Sequence, residues 1–442
     1  MNENTSQAFF IPESQIQFHP MSYADPSGRV FRWQGELYRG VAVEKTQLYR
    51  RLFEEGIAPA LIQNGILSGA DITPFRTQTY SLVLKLHLIP FPSYIFEWCP
   101  DMLKDAALMI LDLELALLEK GLTLIDVQPG NVLFNFARPV YIDYGSISEA
   151  PADSPWIPYA QFRRFYFYPL FMMSRGGYGV AQRLLHDHSP RLSEADLLTV
   201  LQPARMPLRS RLHSLRNRGA PWIKQRTPDW LHPFLRKGNA ALKQTAYTAS
   251  IGRQSRIDVI QGLRNQIEQI TFQRIKTDWS EYDGDYPDLT LQDQWDDKHK
   301  SAYEALCRSK PKTVLDIASN RGWFSQIAAR QGAQVVAFDI DEPSISKLYR
   351  DLRGTDTTIL PLVMDFENPS PAEGICYQWM PAATERYRCE MVLAIALVHH
   401  LVFKAFLPFE QIAAGLSSFT EKTLLVEFIP HDDIHVSRWW NE

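Results

Sequence analysis

One stretch constrains this chain more than any other: Val314-Leu315-Asp316-Ile317-Ala318-Ser319-Asn320-Arg321-Gly322-Trp323-Phe324. The apolar run from Thr313 to Ile317 predicts a short strand, the small residues after it a tight turn, and a helix begins near Trp323. A second strand, Gln334-Val335-Val336-Ala337-Phe338-Asp339, then ends in a carboxylate. Strand, turn, helix, strand and acid make the opening half of an open parallel sheet that binds its ligand at the strands' C-terminal ends. Small residues let the backbone approach a ligand, and the helix start offers unpaired N–H groups. An acid closing the second strand can accept from both hydroxyls of a ribose.

A dinucleotide site wants Gly-x-Gly-x-x-Gly, because a pyrophosphate must sit against bare backbone. Here Asp316 stands at the start of the turn, where it would repel a pyrophosphate but suit the cationic amino-acid end of another ligand. The stretch resembles the first motif of class I S-adenosylmethionine-dependent methyltransferases, Asp-x-Gly-x-Gly-x-Gly. Ala318 and Asn320 replace the first two glycines and Gly322 remains. Asn tolerates a left-handed backbone better than most residues. A nicotinamide dinucleotide site and a Rossmann-like fold without cofactor are the competing readings.

The remaining strands carry further candidates. A helix follows Ile340-Asp341, and Ile359 to Phe366 reads as a third strand, with Asp365 to accept from an adenine amino group and Phe366 to pack on the base. Met391 to Leu397 reads as a fourth strand and Thr423 to Ile429 as a fifth. The expected S-adenosyl-L-methionine set is therefore Asp316, Ala318, Asn320, Gly322, Asp339, Ile340, Asp365, Phe366 and Ala394. Upstream, Trp279 and Tyr282 are candidates to wall the cofactor's methionine end, against plain helix packing. Methyl transfer from a sulfonium needs alignment, and a base only where the acceptor must lose a proton. His399, His400 and Glu427, with His431 behind them, are the expected catalytic groups; the alternative is that the histidines only cap and pack. After the fifth strand only Pro430 to Glu442 follow, too few for the final antiparallel pair of a seven-stranded domain. Either the chain is short there, or a partner protein or a second copy covers the edge.

The N-terminal half holds the other informative stretch. Arg29 to Trp33 and Glu36 to Val41 predict a hairpin about Gln34-Gly35, residues 44 to 65 a helix, and Leu82 to Leu88 a strand. Tyr94 to Cys99 reads as a strand leading to a hinge, and residues 101 to 119 as a long apolar helix. Then come Leu124-Ile125-Asp126, Asn131 and Asp143-Tyr144-Gly145. Asp126, Asn131 and Asp143 resemble, in order and spacing, the protein-kinase catalytic loop and its metal-binding motif. There one carboxylate orients a hydroxyl, while an amide and a second carboxylate hold Mg²⁺ on phosphates. The loop histidine is replaced by Leu124, Ser27-Gly28 is all that resembles a glycine loop, and only Lys85 or Arg39 could replace the phosphate-binding lysine. The reading is a kinase-like domain without kinase activity. A genuine small-molecule kinase, or acids that merely cap loops, are the alternatives.

Composition excludes several classes. A charged fraction of 22% and a net charge of −4 give no overall nucleic-acid signature. The Arg205 to Lys243 stretch is locally basic, which leaves an RNA partner open but not preferred over a solvated linker or a surface for an acidic partner. Cys99, Cys307, Cys376 and Cys389 lack metal spacing, so no metal site is expected, and with no secretion signal or membrane span the protein reads as cytoplasmic. The aromatic run Trp156 to Phe171 reads as helix core.

Five stretches together resemble a family of bacterial two-part methyltransferases related to the host-specificity nodulation protein family. They are Asp25 to Phe31, Tyr94 to Cys99, Leu103 to Ala107, the loop about Asn131, and Ala396 to Leu401. The resemblance implies an α+β two-lobed kinase-like domain followed by an α/β Rossmann-like methyltransferase domain that lacks its last two strands. The expected division is an irregular segment 1–24, a kinase-like domain 25–225, a basic linker and lead-in helices 226–300, and a methyltransferase domain 301–442. The expected function is methyl transfer to an oxygen or nitrogen of a small-molecule or peptide acceptor, which the kinase-like domain helps to present. Alternatives are a bifunctional kinase and methyltransferase, or a non-catalytic subunit of a methyltransferase complex.

Overall fold

The computed structural model describes residues 9–151, 155–186, 253–273, 276–277, 279–280 and 287–440. Packing divides the chain into two units, one of Met1–Met102, Val132–Ile142 and Arg274–Glu442, the other of Leu103–Asn131 and Asp143–Gln273. This partition differs from the sequence-based one: the early antiparallel strands and the late parallel sheet share one unit. The basic stretch Arg205 to Lys243 and Tyr282 lie outside the described residues.

In the first unit, five strands pair antiparallel in the spatial order Gln17–Phe18, Gly28–Trp33, Glu36–Val41, Leu82–Leu86, Ala70–Ile72. The hairpin turns on Gln34 (φ 50) and Gly35 (φ 82), two left-handed residues whose twist matches the strands. Phe31, Tyr38, Tyr80 and Val83 bury one face with Ile11. The helix expected over 44–65 is two helices, Thr46–Glu54 and Ile57–Gln63, because Gly56 at φ 75 breaks it. Tyr94 to Cys99 is not a strand. Its centre, Ile95–Glu97, is a 3₁₀ turn, since the Tyr94 N–H donates to Glu97 Oε2 (2.8 Å) and the Glu97 N–H to the Tyr94 carbonyl (2.8 Å). Its apolar residues are buried all the same, which is why they imitate a strand.

The second unit is built on helix Pro100–Glu119 from Leu103 onward, with Ala106, Ala107, Ile110, Leu111, Leu113 and Leu117 fully buried. Buried Glu114 accepts from Thr123 Oγ1 (2.6 Å) and from the Leu124 N–H (2.7 Å), fixing strand Leu122–Leu124, which pairs with Ile147–Glu149. Helices Tyr159–Phe162 and Tyr168–Met173 are joined by a π-helical turn, Arg163–Phe167. Trp156, Phe162 and Tyr166 are buried there as core. Helix Arg253–Glu268 is held by Arg264 to Asp112 (2.6 Å) and by Lys104, which donates to the carbonyls of Glu268 and Ile270.

The C-terminal part of the first unit forms the site. Its elements are β1 (Thr313–Ile317), α1 (Trp323–Arg330), β2 (Gln334–Asp339), α2 (Glu342–Leu352), β3 (Ile359–Val363), α3 (Ala383–Arg386), β4 (Cys389–Ala394), α4 (Val398–Phe403), α5 (Phe409–Phe419), β5 (Thr420–Val426) and α6 (Ile434–Trp440). The strands lie in the order β3-β2-β1-β4-β5, all parallel. This is the doubly wound Rossmann-like arrangement, with strand order reversing beside β1. Strands β1 to β4 are almost wholly buried, because helices cover both faces of a parallel sheet. At the edge, Leu424 and Val426 of β5 stay partly exposed. β4 stops three residues before the expected Leu397, because Ala396 adopts φ 54 and turns the chain.

Candidate functional site at the C-terminal end of the parallel sheet

All three glycine positions of the turn after β1 are left-handed: Ala318 (φ 57), Asn320 (φ 50) and Gly322 (φ 72). The backbone path therefore survives without two of its glycines. Gly322 cannot gain a side chain easily, since a Cβ there would lie 2.8 Å from Leu348 Cδ2 on α2. Asp316 faces α1, where Ser325 Oγ donates to its Oδ2 at 2.5 Å. Burial pushes the Asp316 carboxyl up to about 7, opposed by the Ser325 hydrogen bond and aided by the charge of Asp339.

Asp339, only 9% exposed, ends β2 beside this turn. The Asn320 N–H donates to its Oδ2 and the Asp341 N–H to its Oδ1, each at 2.8 Å. Burial raises its carboxyl to about 6, and these two amide bonds work the other way. Ile340 beside it is 66% exposed. Asp365 accepts from the Glu367 N–H (2.9 Å) just past β3, and Phe366 lies against Gly415 of α5. Ala394 is buried at the end of β4.

Beyond β4, Ala396 donates its N–H to Glu427 Oε2 (2.7 Å), while Lys298 lies 3.9 Å from Glu427 Oε1. Glu427 thus supports the bend that starts α4. His399 is 9% exposed and its ring centroid is 4.2 Å from that of His400. Trp439 of α6 stacks on His399 (5.8 Å) and meets His400 edge to face (5.0 Å), as does Trp279 (4.9 Å). Trp279 is tied to the turn, because Asn320 Nδ2 donates to its carbonyl at 3.2 Å. Arg321 donates likewise to the Ser280 carbonyl. The structure therefore joins the turn, the lead-in segment and the histidine pair in one aromatic-lined corner. Sequence reading missed Trp439, whose only trace was two tryptophans near the end of the chain, and also Ser325 and Leu348. His431 contributes its carbonyl, to Ser437 Oγ (3.0 Å).

The second candidate constellation lies apart in the chain. Asp126 Oδ1 accepts from Gln161 Nε2 (2.7 Å) and the Gln128 N–H (3.1 Å). Asn131 ends a 3₁₀ turn, and Asp143 caps another by accepting from the Gly145 N–H (2.8 Å). Both basic side chains proposed for the phosphates have acidic partners: Arg39 pairs with Asp25 and donates to Ser27 Oγ, and Lys85 lies 3.3 Å from Glu36. Among the described residues no group of His, Cys, Asp and Glu is arranged to hold a metal, and no helix is long and apolar enough to cross a membrane.

No family model matches the chain. It is similar to nodulation protein NoeA of Rhizobium meliloti (strain 1021), at 26% identity over 439 residues, which cover 94% of this chain and 86% of that protein. Among solved structures it is similar to the bifunctional kinase-methyltransferase WbdD, at 19% identity and a TM-score of 0.25, covering 35% of this chain and 32% of that one. TehB from Haemophilus influenzae matches at 17% identity and a TM-score of 0.22, over 30% of this chain and 40% of that one. The chain thus spans about a third of the WbdD chain it matches.

Proposed function

We propose that this chain is an S-adenosylmethionine-dependent methyltransferase that acts on an oxygen or nitrogen of a small-molecule or peptide acceptor. One observation carries the reading: three alternate left-handed positions after β1, at 318, 320 and 322, lead the Asn320 N–H onto the carboxylate that closes β2. The residues fit the cofactor. Among the described residues, buried Ser319 Oγ and Asn320 Oδ1 have no hydrogen-bond partner at the turn, as groups awaiting a polar ligand would be. Exposed Ile340 beside Asp339 offers an apolar face for a base. Asp339 would take the ribose hydroxyls, Asp365 the adenine amino group, and Ile340 and Phe366 the base. Asp316, Ala318, Asn320 and Gly322 would shape the methionine end, and Ala394 the floor.

When bound, the cofactor supplies a methyl group already activated on a sulfonium. The chain's own task is to align the acceptor and exclude water. His399 or His400 would hold an acceptor proton, with Glu427 supporting their helix. Calorimetric titration with S-adenosylhomocysteine tests this: binding is expected, and Asp339→Ala weakens it at least about tenfold, the scale of a lost charge-assisted hydrogen bond. No heat and no thermal shift at ligand concentrations near millimolar would reject the reading.

The kinase-like region is read as non-phosphorylating, helping to present the acceptor. In support, Arg39 and Lys85 are engaged by acids, and the 94–98 backbone is hydrogen-bonded within its own 3₁₀ turn. Tight Mg-ATP binding with turnover abolished by Asp126→Asn would favour the bifunctional alternative. The partly exposed edge strand β5 supports a protein partner or a second copy there, and the cytoplasm as its site of action is part of the same reading.

A further inference from the structure

The 92–102 segment and the flank of the parallel sheet meet through a buried polar network. Glu97 and Arg386 have side chains 1% and 2% exposed. Arg386 Nη2 donates to Glu97 Oε1 (2.5 Å) and Nη1 to Glu97 Oε2 (3.0 Å) and the Pro92 carbonyl (2.8 Å), while Nε donates to the Pro381 carbonyl (2.8 Å). Tyr387 donates to Glu97 Oε2 (2.7 Å), and the guanidinium lies over the Tyr94 ring (4.2 Å). Burial opposes the charge on Glu97, but Arg386 outweighs it and holds the carboxyl below its usual range. A charge pair this dry persists only when its polar atoms are satisfied, and here they are.

A second attachment lies on α2. Arg350 donates to Asp101 (2.6 Å) and Tyr349 packs edge to face on Phe134 (6.0 Å), which in turn meets Trp98 (4.9 Å). Leu348, the residue before them, is the side chain that confronts Gly322 in the turn. Arg386 and Tyr387 lie just ahead of β4, whose end leads to Ala396 and His399. Both sides of the candidate site are therefore anchored on residues far upstream in the chain.

We infer that Glu97, Arg386 and Arg350 are positioning residues for the cofactor site: they hold the turn at 318–322 and the β4 end at 394–400 in their binding geometry. The site is then not a property of residues 301–442 alone. This rests on the methyltransferase reading only for the identity of the ligand.

The test uses the full chain and the variants Glu97→Gln, Arg386→Met and Arg350→Ala, checked for folding by near-ultraviolet circular dichroism. Hydrogen exchange without ligand is the first readout. Amides of 318–322 and 394–400 are expected to exchange at least about fivefold faster in each folded variant, as expected for a coupling of ordinary size. S-adenosylhomocysteine titration is the second: affinity falls by a similar factor, and in the wild type the ligand slows exchange at 92–99. Unchanged exchange at 318–322 and 394–400 in folded Glu97→Gln and Arg350→Ala, with affinity within about twofold of wild type, overturns the inference. Arg350 is partly exposed, so its variant keeps the test decisive if Arg386→Met fails to fold. A wild type that ignores S-adenosylhomocysteine would reject the methyltransferase reading, while ligand-free exchange still decides the positioning role.

Discussion

At the scale of the residue, Ala318 and Gly322 are left-handed alike, yet swapping their side chains has opposite expected signs. Ala318→Gly removes left-handed strain of about 1–2 kcal/mol and adds roughly 0.5–1 kcal/mol of chain entropy, so stability holds or rises slightly. Gly322→Ala meets Leu348 and costs roughly 1–3 kcal/mol. Urea denaturation of the two variants checks the contrast. The acids give a pH test. Asp339 and Asp316 titrate near 6 and 7 in the folded chain, above their ordinary range, because burial disfavours their charge. The folded state therefore holds protons that the unfolded chain has released. Their contribution to stability is full below about pH 4 and is lost as pH rises through about 6 to 7. Asp316→Asn is expected to flatten that fall, measured by thermal melts at about pH 5 and about pH 8. Ligand binding runs the other way for Asp339, since ribose hydroxyls donate to the ionised form. S-adenosylhomocysteine affinity should drop as pH falls below about 6, and Asp339→Asn should abolish that dependence.

Among elements, α3 depends on a single buried charge pair. Arg386→Met leaves Glu97 charged and buried without its partner, which costs roughly 3–5 kcal/mol. Replacing both, Glu97→Gln with Arg386→Met, costs less than that single change, and a urea double-mutant cycle reads the difference. The strands show what patterning can and cannot resolve. β1 and β2 match the expected Thr313 to Ile317 and Gln334 to Asp339, because a run of buried β-branched and apolar residues has few other homes in a parallel sheet. Tyr94 to Cys99 has the same apolar character, yet its turn is set by the Glu97 side chain folding back on the Tyr94 N–H. Periodicity carries no trace of that contact. β4 ends early for a similar reason, since the bend at Ala396 depends on Glu427, 31 residues away.

For the molecule as a whole, the antiparallel strands before residue 100 and the parallel sheet after residue 312 belong to one packing unit. They are expected to unfold together. Leu393→Ala in β4, a fully buried site costing roughly 2–5 kcal/mol, should lower the exchange protection of Leu82–Leu86 as much as that of β1. Protection lost in the parallel sheet alone would contradict this. The similarity to a nodulation protein along nearly the whole chain accords with the family resemblance read from five short stretches. By itself the sequence determined the parallel sheet, its acids and the turn, because strand burial, turn chemistry and strand-end carboxylates are local patterns that chain order alone exposes. Only tertiary structure decided that the turn keeps left-handed geometry at Ala318 and Asn320, that Trp439 and Trp279 close on the histidine pair, and that Glu97 serves the sheet through Arg386. Those outcomes depend on side chains as far as 289 residues apart finding one another in a dry interior, where each must satisfy the other's charge and hydrogen bonds.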